Sequence, residues 1–193
     1  MMITVVSGLP RSGTSMMMEM LKAGGMPILA DDVRAADGHN IRGYFEYSRV
    51  KNLERDAAWL EQAEGKAVKI VSPLLFHLPA NREYSIIMML RPLPEICHSQ
   101  AAMLEGMVER KTTHSARVLI EAFQRHLEKV EDWLKRQANI KLLTCKYHDI
   151  LTDPASGAAE IAGFLDCNLD TARMRGVVDG GLCHYRETSL IYD

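Results

Sequence analysis

Short apolar runs alternate with amphipathic segments along most of the chain, a pattern that predicts strands alternating with helices. The strand signals are runs of β-branched and other apolar residues at 3–6, 67–71, 85–90 and 140–145, with a weaker run at 26–30. Continuous apolar runs joined by helices are typical of parallel strands that are buried on both faces. The pattern therefore predicts a three-layer α/β/α fold around a central, mainly parallel sheet.

Helix signals occupy the segments between these runs. Apolar stripes and capping residues predict helices at 14–23, 48–63, from 94, 115–137 and 154–165, and a short one after 170. In the 48–63 segment, Ser48 is a candidate N-cap, and Val50, Leu53 and Leu60 are spaced to form one apolar stripe. A length of 193 residues suits one α/β domain, which we expect to span 1–193.

The loop between the first strand and the first helix carries the strongest chemical signal. Residues 8–15 read Gly-Leu-Pro-Arg-Ser-Gly-Thr-Ser. The two glycines permit close backbone approaches that a Cβ would prevent, and a helix N-terminus presents N–H groups to an anion. Donors suited to phosphate or sulfate oxygens follow at Arg11, Ser12, Thr14 and Ser15. The alternative is an ordinary strand-to-helix turn without a ligand, but such a turn does not need all of these residue types in this order.

Residues 7–15 resemble the 5′-phosphosulfate loop of bacterial-type sulfotransferases that use 3′-phosphoadenylyl sulfate (PAPS). In that family the cation lies inside the loop, where Arg11 stands, whereas a P-loop has lysine where this chain has Thr14. The resemblance implies a P-loop NTPase-like fold and transfer of a sulfuryl group to a hydroxyl or amine. It implies PAPS as co-substrate, adenosine 3′,5′-bisphosphate (PAP) as product, and no metal. The implied ligands of PAPS in this loop are Arg11, Ser12, Gly13, Thr14 and Ser15.

An arginine also stands directly after the strand at 85–90. Arg91 and Ser99 form an Arg-x7-Ser pattern that resembles the 3′-phosphate motif of the same family, although Pro92 stands where the family usually has aspartate. Residues 147–154 and 161–165 resemble the bacterial pattern that closes the nucleotide domain. Near the end, Arg186 lies in a segment similar to the family's terminal His-Tyr-Arg, which makes it a candidate second 3′-phosphate ligand, with a surface arginine as the alternative.

Lys69 lies in a strand whose burial would exclude a charge without a partner. Its Lys-x3-Pro context resembles the family segment whose lysine neutralises charge on the bridging oxygen or the transferring group, so Lys69 and Arg11 are the expected catalytic cations. Cytosolic members have a histidine base where this chain has Val71. We therefore expect Glu46, which is flanked by aromatic residues, to be the general base, with His77 as the alternative.

Charge and cysteine content limit the partners. The 23 basic and 25 acidic residues give a net charge of −2, which argues against a broad nucleic-acid surface or a polybasic membrane contact. No apolar run is long enough to span a membrane and no secretion signal is evident, so we expect a cytoplasmic protein. The four cysteines show no C-x-x-C pairing, so we expect reduced thiols and no zinc site.

The sequence leaves several alternatives open. A P-loop kinase or NTPase would have lysine at position 14 and a strand-end aspartate for Mg²⁺, whereas this chain has Thr14 and Arg91. A nucleotide-binding protein that keeps the sulfotransferase-like shell but lacks turnover is compatible with Val71 at the base position. The acceptor is expected to be a small molecule or carbohydrate, its pocket formed by residues 31–47 and 101–114. Its identity and any homo-oligomer are not determined by the sequence.

Overall fold

Four parallel strands form one sheet in the computed structural model, which describes residues 2–31, 43–105 and 116–179. The strands are β1 (Ile3–Gly8), β2 (Ala67–Lys69), β3 (Tyr84–Leu90) and β4 (Ile140–Lys146). Their order across the sheet is β2-β1-β3-β4, and all three pairings are parallel. The predicted α/β fold with a parallel sheet is confirmed, and the strands lie close to the predicted runs.

Helices connect and cover these strands. They are α1 (Thr14–Ala23), α2 (Leu93–Glu105), α3 (Ala116–Leu134), α4 (Tyr147–Thr152), α5 (Pro154–Leu165) and α6 (Thr171–Gly176). Aspartate side chains cap the last two helices. Asp153 accepts a hydrogen bond from the Ser156 backbone N–H at 3.0 Å, and Asp170 accepts one from that of Arg173 at 2.9 Å. Helix α4, which follows β4 directly, was not predicted.

Alternate residues of the central strands point into two separate cores. Val5 and Ile86 face a core that also contains Trp59 and, from α3, Val130 and Leu134. Val6 and Ile87 face the opposite core, which is filled mainly by α1, α5 and α6 through Met17, Met18, Leu21, Ile161 and Met174. Because β1 and β3 are covered on both faces, their sequences are continuously apolar rather than alternating.

Two predicted elements differ in the structure. Residues 48–63 do not form one helix but two 3₁₀ segments, Ser48–Asn52 and Ala58–Ala63. The break is stabilised by Asp56, whose side chain pairs with Arg49 at 2.8 Å and accepts from the Ala58 N–H at 3.0 Å, an alternative to continued helical hydrogen bonding. Residues 26–30 make one parallel bridge, Ile28 to Ala67, instead of a strand.

Burial of Tyr84 predicts a loss of stability at alkaline pH. Its side chain is fully buried and donates a hydrogen bond to the Pro79 carbonyl at 3.1 Å, and burial raises its pKa to about 12. An unfolded tyrosine ionises near pH 10, roughly, so the unfolded state loses this proton first as the pH rises. The stabilisation from the neutral Tyr84 is therefore complete below pH 10 and is lost between about pH 10 and 12.

The variant Tyr84→Phe isolates this contribution. At pH 8 we expect it to be less stable than the original protein by about 1 kcal/mol, because one hydrogen bond is lost. At pH 11 we expect that penalty to shrink, because phenylalanine does not ionise. Urea unfolding at both pH values measures the difference, with Tyr47→Phe, which removes an exposed hydroxyl, as the matched control. A penalty of equal size at pH 8 and pH 11 would contradict the assignment.

Candidate active site

Two glycines hold the loop between β1 and α1 tightly against neighbouring elements. Gly8 has φ +151° and Gly13 has φ +100°, both in the region that favours glycine. A Cβ on Gly8 would lie 2.7 Å from the Met89 carbonyl oxygen, and one on Gly13 would lie 2.5 Å from the Tyr147 ring. Neither position has room for a side chain, so the loop follows the ends of β3 and β4 closely. Arg11 also has a positive φ, 74°, at the tip of the loop.

The loop leads into the N-terminus of α1, where an anion is favoured. Thr14 and Ser15 are the first residues of this ten-residue helix, whose first turn leaves N–H groups without intrahelical partners. The Ser12 N–H donates to the Leu9 carbonyl at 3.1 Å, which closes the loop into a turn. Ser12 is buried against Gly8, and its hydroxyl has no hydrogen-bond partner among the described residues.

A hydrogen bond joins the loop directly to α2. The Nε of Arg11 donates to the Oγ of Ser99 at 2.8 Å, although the two residues are 88 positions apart. The side chain of Gln100 adds a longer contact, 3.4 Å, to the Pro10 carbonyl. The arginine predicted for the 5′-phosphosulfate and the serine predicted for the 3′-phosphate therefore lie side by side.

Arg91 lies against the same loop. One terminal nitrogen of its guanidinium donates to the Arg11 carbonyl at 3.4 Å, and the guanidinium carbon lies 4.6 Å from the centre of the Tyr147 ring. Its Nε donates to Glu95 at 2.7 Å, and the two side chains are 8% and 1% exposed. The structure thus brings Arg91, Ser99 and Arg11 together at the carboxyl edge of the sheet, where β1 and β3 end.

Lys69 has the partners that a buried lysine requires. Its side chain is 8% exposed and its Nζ donates to the Tyr44 carbonyl. The same nitrogen lies 3.9 Å from Oε1 of Glu46 and 5.9 Å from the centre of the Tyr44 ring. Phe45, between these two residues, has φ +50°, an uncommon conformation for a residue with a Cβ. The predicted cation and the predicted base are therefore neighbours, held by a strained turn.

Other predicted residues are not joined to this group. His77 ends a 3₁₀ segment, Ser72–His77, and within the described ranges no hydrogen bond or ion pair links it to Lys69 or Glu46. Arg186 and most of the predicted acceptor segments, 32–42 and 106–114, lie outside the described residues.

Two residues near Arg91, the buried Glu95 and the half-buried His148, were missed by the sequence analysis. Glu95 lies four residues after Arg91, a spacing that places side chains on one side of a helix and was available as a signal. His148 contacts Glu95 from α4 with Nε2 at 2.9 and 3.0 Å from its two oxygens. No sequence spacing connects positions 95 and 148, because they meet only when β4 pairs with β3.

The described residues hold neither a candidate metal cluster nor a candidate membrane span. In residues 2–31, 43–105 and 116–179, no group of three or more histidine, cysteine, aspartate or glutamate side chains is arranged to hold a metal ion. Among the helices of these ranges, none combines the length and apolar character needed to cross a lipid bilayer.

Solved structures with the same fold are sulfotransferases. The sulfotransferase domain of the olefin synthase from Synechococcus PCC 7002 superposes with a TM-score of 0.58 at 17% identity, covering 95% of this chain and 82% of that one. A sulfotransferase from Mycobacterium tuberculosis H37Rv gives 0.59 at 16% identity, covering 93% and 71%. A mouse sulfotransferase complexed with PAP gives 0.54 at 18% identity, covering 92% and 62%. At these identities the likeness shows the fold alone.

The sequence itself matches a family model. No curated protein matches the sequence. The model of the sulfotransferase domain, however, matches residues 3–181, which include the glycine-bounded loop, Lys69, Arg91 and Ser99. Because this match covers nearly the whole chain, the protein belongs to the sulfotransferase domain family, as the resemblance of residues 7–15 predicted.

Proposed function

We propose that the cleft between the loop, Lys69 and Arg91 binds PAPS and transfers its sulfuryl group to a hydroxyl or amine of a small-molecule or carbohydrate acceptor. The family makes the protein a transferase of sulfur-containing groups, with PAPS as sulfuryl donor and PAP as product. The mouse relative was solved with PAP, which supports this donor. The hydrogen bond from Arg11 to Ser99 carries the proposal, because it brings the two predicted phosphate-binding motifs to one place.

The residues present fit a nucleotide with phosphate at both ends. The loop offers a helix N-terminus, and a planar guanidinium matches phosphate oxygens through paired hydrogen bonds. Arg91 contacts the Arg11 carbonyl at the carboxyl end of the sheet, and Lys69 ends β2, the strand on the other side of β1. Such a donor set suits several anionic oxygens held in separate positions.

Each element has a separate binding role in this scheme. Arg11 and the N–H groups of the loop contact the 5′-phosphosulfate, and the hydroxyls of Ser12, Thr14 and Ser15 add polar contacts. Arg91 and Ser99 contact the 3′-phosphate. Arg186 stays a proposed second ligand of that phosphate.

The chemical step follows from Lys69 and Glu46. Glu46 accepts the proton from the acceptor hydroxyl or amine, whose oxygen or nitrogen forms a bond to sulfur while the bond from sulfur to the bridging oxygen breaks. Lys69 and Arg11 stabilise the negative charge that develops on that leaving oxygen. The 3.9 Å separation of Lys69 Nζ and Glu46 Oε1 places a charge-stabilising group and a proton acceptor side by side.

The two rival functions are less well supported. A kinase or NTPase would use lysine at position 14 and a carboxylate at the strand end for Mg²⁺, where this chain has Thr14 and Arg91. An inactive nucleotide-binding protein has no need of a buried lysine paired with a carboxylate at the reacting end of the cleft, and the Lys69–Glu46 pair therefore favours turnover.

The setting of the reaction is also proposed. Free thiols at Cys97, Cys145 and Cys167 fit the reducing cytoplasm, and the near-balanced charge fits a protein that does not bind nucleic acid. We propose one domain spanning 1–193 and leave a homo-oligomer as the alternative to a monomer. Cell fractionation, light scattering and limited proteolysis test these points, and a membrane-pelleted protein or a stable proteolytic fragment would contradict them.

Binding of PAP is the first test of the donor. Isothermal titration should show PAP binding at least about tenfold more tightly than ATP, because the guanidinium of Arg91 pairs with the 3′-phosphate on the ribose of PAP, which ATP lacks. Equal affinity for the two nucleotides would contradict a PAPS site.

Removing either catalytic cation should lower turnover. We expect Arg11→Ala and Lys69→Met each to lower the rate of transfer from labelled PAPS to an acceptor panel by about tenfold to a thousandfold, as the loss of oxyanion contacts does. Arg55→Ala and Lys51→Met, which alter exposed side chains, are the matched controls. Unchanged rates in both cation variants would rule out this mechanism.

The general base is tested by two substitutions that each replace the candidate proton acceptor with a neutral amide. Glu46→Gln should lower turnover by about a hundredfold to ten-thousandfold, because the amide cannot accept the proton, while PAP affinity stays unchanged. His77→Gln should retain the rate. The reverse result would identify His77 as the base.

A further inference from the structure

The carboxylate of Glu95 joins two basic side chains from different parts of the chain. Glu95 lies in α2 and is 1% exposed. Its Oε2 accepts from Arg91 Nε at 2.7 Å, and Nε2 of His148 lies 2.9 Å from Oε1 and 3.0 Å from Oε2. A buried carboxylate needs such partners, because an unpaired buried charge is costly.

The pairing of β3 with β4 places His148 there. The last pair in their register is Leu90 with Lys146, so the residues that follow each strand leave the sheet side by side. Arg91 follows one strand, and Tyr147 and His148 follow the other as the first turn of α4. Tyr147 then packs its ring against the guanidinium of Arg91, while His148 reaches the carboxylate that holds Arg91.

The direction of the histidine contact follows from the chemistry of the two groups. An ionised carboxylate accepts hydrogen bonds and does not donate them, so Nε2 of His148 carries the hydrogen in this contact. His148 is 34% exposed, so its other side reaches solvent while its Nε2 is held by Glu95. Because Nε2 lies within hydrogen-bond distance of both oxygens, the histidine restricts the rotation of the carboxylate.

The rotation of the carboxylate determines which hydrogen bonds Glu95 makes with the guanidinium of Arg91. The hydrogen bond between them runs from Nε to Oε2, and a terminal nitrogen of the guanidinium is directed to the loop at the Arg11 carbonyl. Without the donor from His148, the carboxylate would turn toward the paired, two-bond geometry that arginine and carboxylate prefer. A second bond to Glu95 would take a guanidinium donor that a phosphate needs.

We propose that His148 is a positioning residue that sets the preference of this site for a nucleotide with a 3′-phosphate, by holding Glu95 so that Arg91 presents its terminal nitrogens to that phosphate. The inference rests on the proposed function, in which Arg91 binds the 3′-phosphate. His148 does not touch the nucleotide in this scheme and acts through Glu95.

Calorimetric titration with PAP and with adenosine 5′-monophosphate (AMP) tests this role, because the two ligands differ by the 3′-phosphate. The ratio of their dissociation constants, AMP over PAP, measures what that phosphate contributes. We expect His148→Met, which removes the donor at similar length, to lower the ratio by about tenfold while AMP affinity stays within about twofold, as the loss of one charge-assisted contact implies. His148→Gln, which keeps an N–H donor near the position of Nε2, should restore most of the ratio.

The outcomes separate the inference from the proposed function. A ratio near one in the original protein would overturn both the inference and the proposed function, because Arg91 would then not bind a 3′-phosphate. A large ratio that His148→Met leaves unchanged, or a parallel loss of AMP and PAP affinity, would overturn the role of His148 alone. If His148→Met does not fold by circular dichroism, His148→Asn replaces it, because the shorter amide does not reach Glu95, and the same loss of the ratio is expected.

Discussion

The parallel pairing of β1 with β3 is the constraint on which the site depends. Its last pair is Gly8 with Met89, so the loop after β1 and the chain after β3 leave the sheet at the same level. A slip of one residue would turn every side chain of a strand to the opposite face, and both faces are packed here. The two cores therefore fix the register, and the register fixes the approach of the loop to Arg91.

The charges of the site are buried and already paired, which shapes how it can bind an anion. Lys69, Arg91 and Glu95 are each less than one-tenth exposed. Burial without partners would be costly, and the Tyr44 carbonyl and the carboxylate oxygens supply them. In the proposed function, an incoming nucleotide therefore exchanges partners within a preorganised set instead of ordering flexible side chains, which reduces the entropic cost of binding. The same pairing makes the positions of the carboxylates as important as those of the cations.

The hydrophobic pattern was sufficient for the sheet because β1 and β3 are buried on both faces, and the loop could be recognised because its glycines, cation and hydroxyls are contiguous. The 48–63 segment was mispredicted as one helix because its apolar spacing is helical. The side chain of Asp56 interrupts the helix by hydrogen bonding to a neighbouring side chain and to the backbone, and the apolar spacing does not show these contacts. The contact of His148 with Glu95 depends on strand pairing, so no local pattern contains it.

The geometry of α2 shows how Pro92 is accommodated beside Arg91. The family usually has aspartate at this position, but here Pro92 lies just before the helix and its carbonyl accepts the Ile96 N–H at 3.2 Å. The acidic partner of Arg91 comes instead from Glu95, four residues on, and Ser99 follows after four more. Residues four apart lie on one side of a helix. The seven-residue gap between Arg91 and Ser99 is therefore two helical turns, which aligns cation, carboxylate and hydroxyl along the side of α2 that meets the loop.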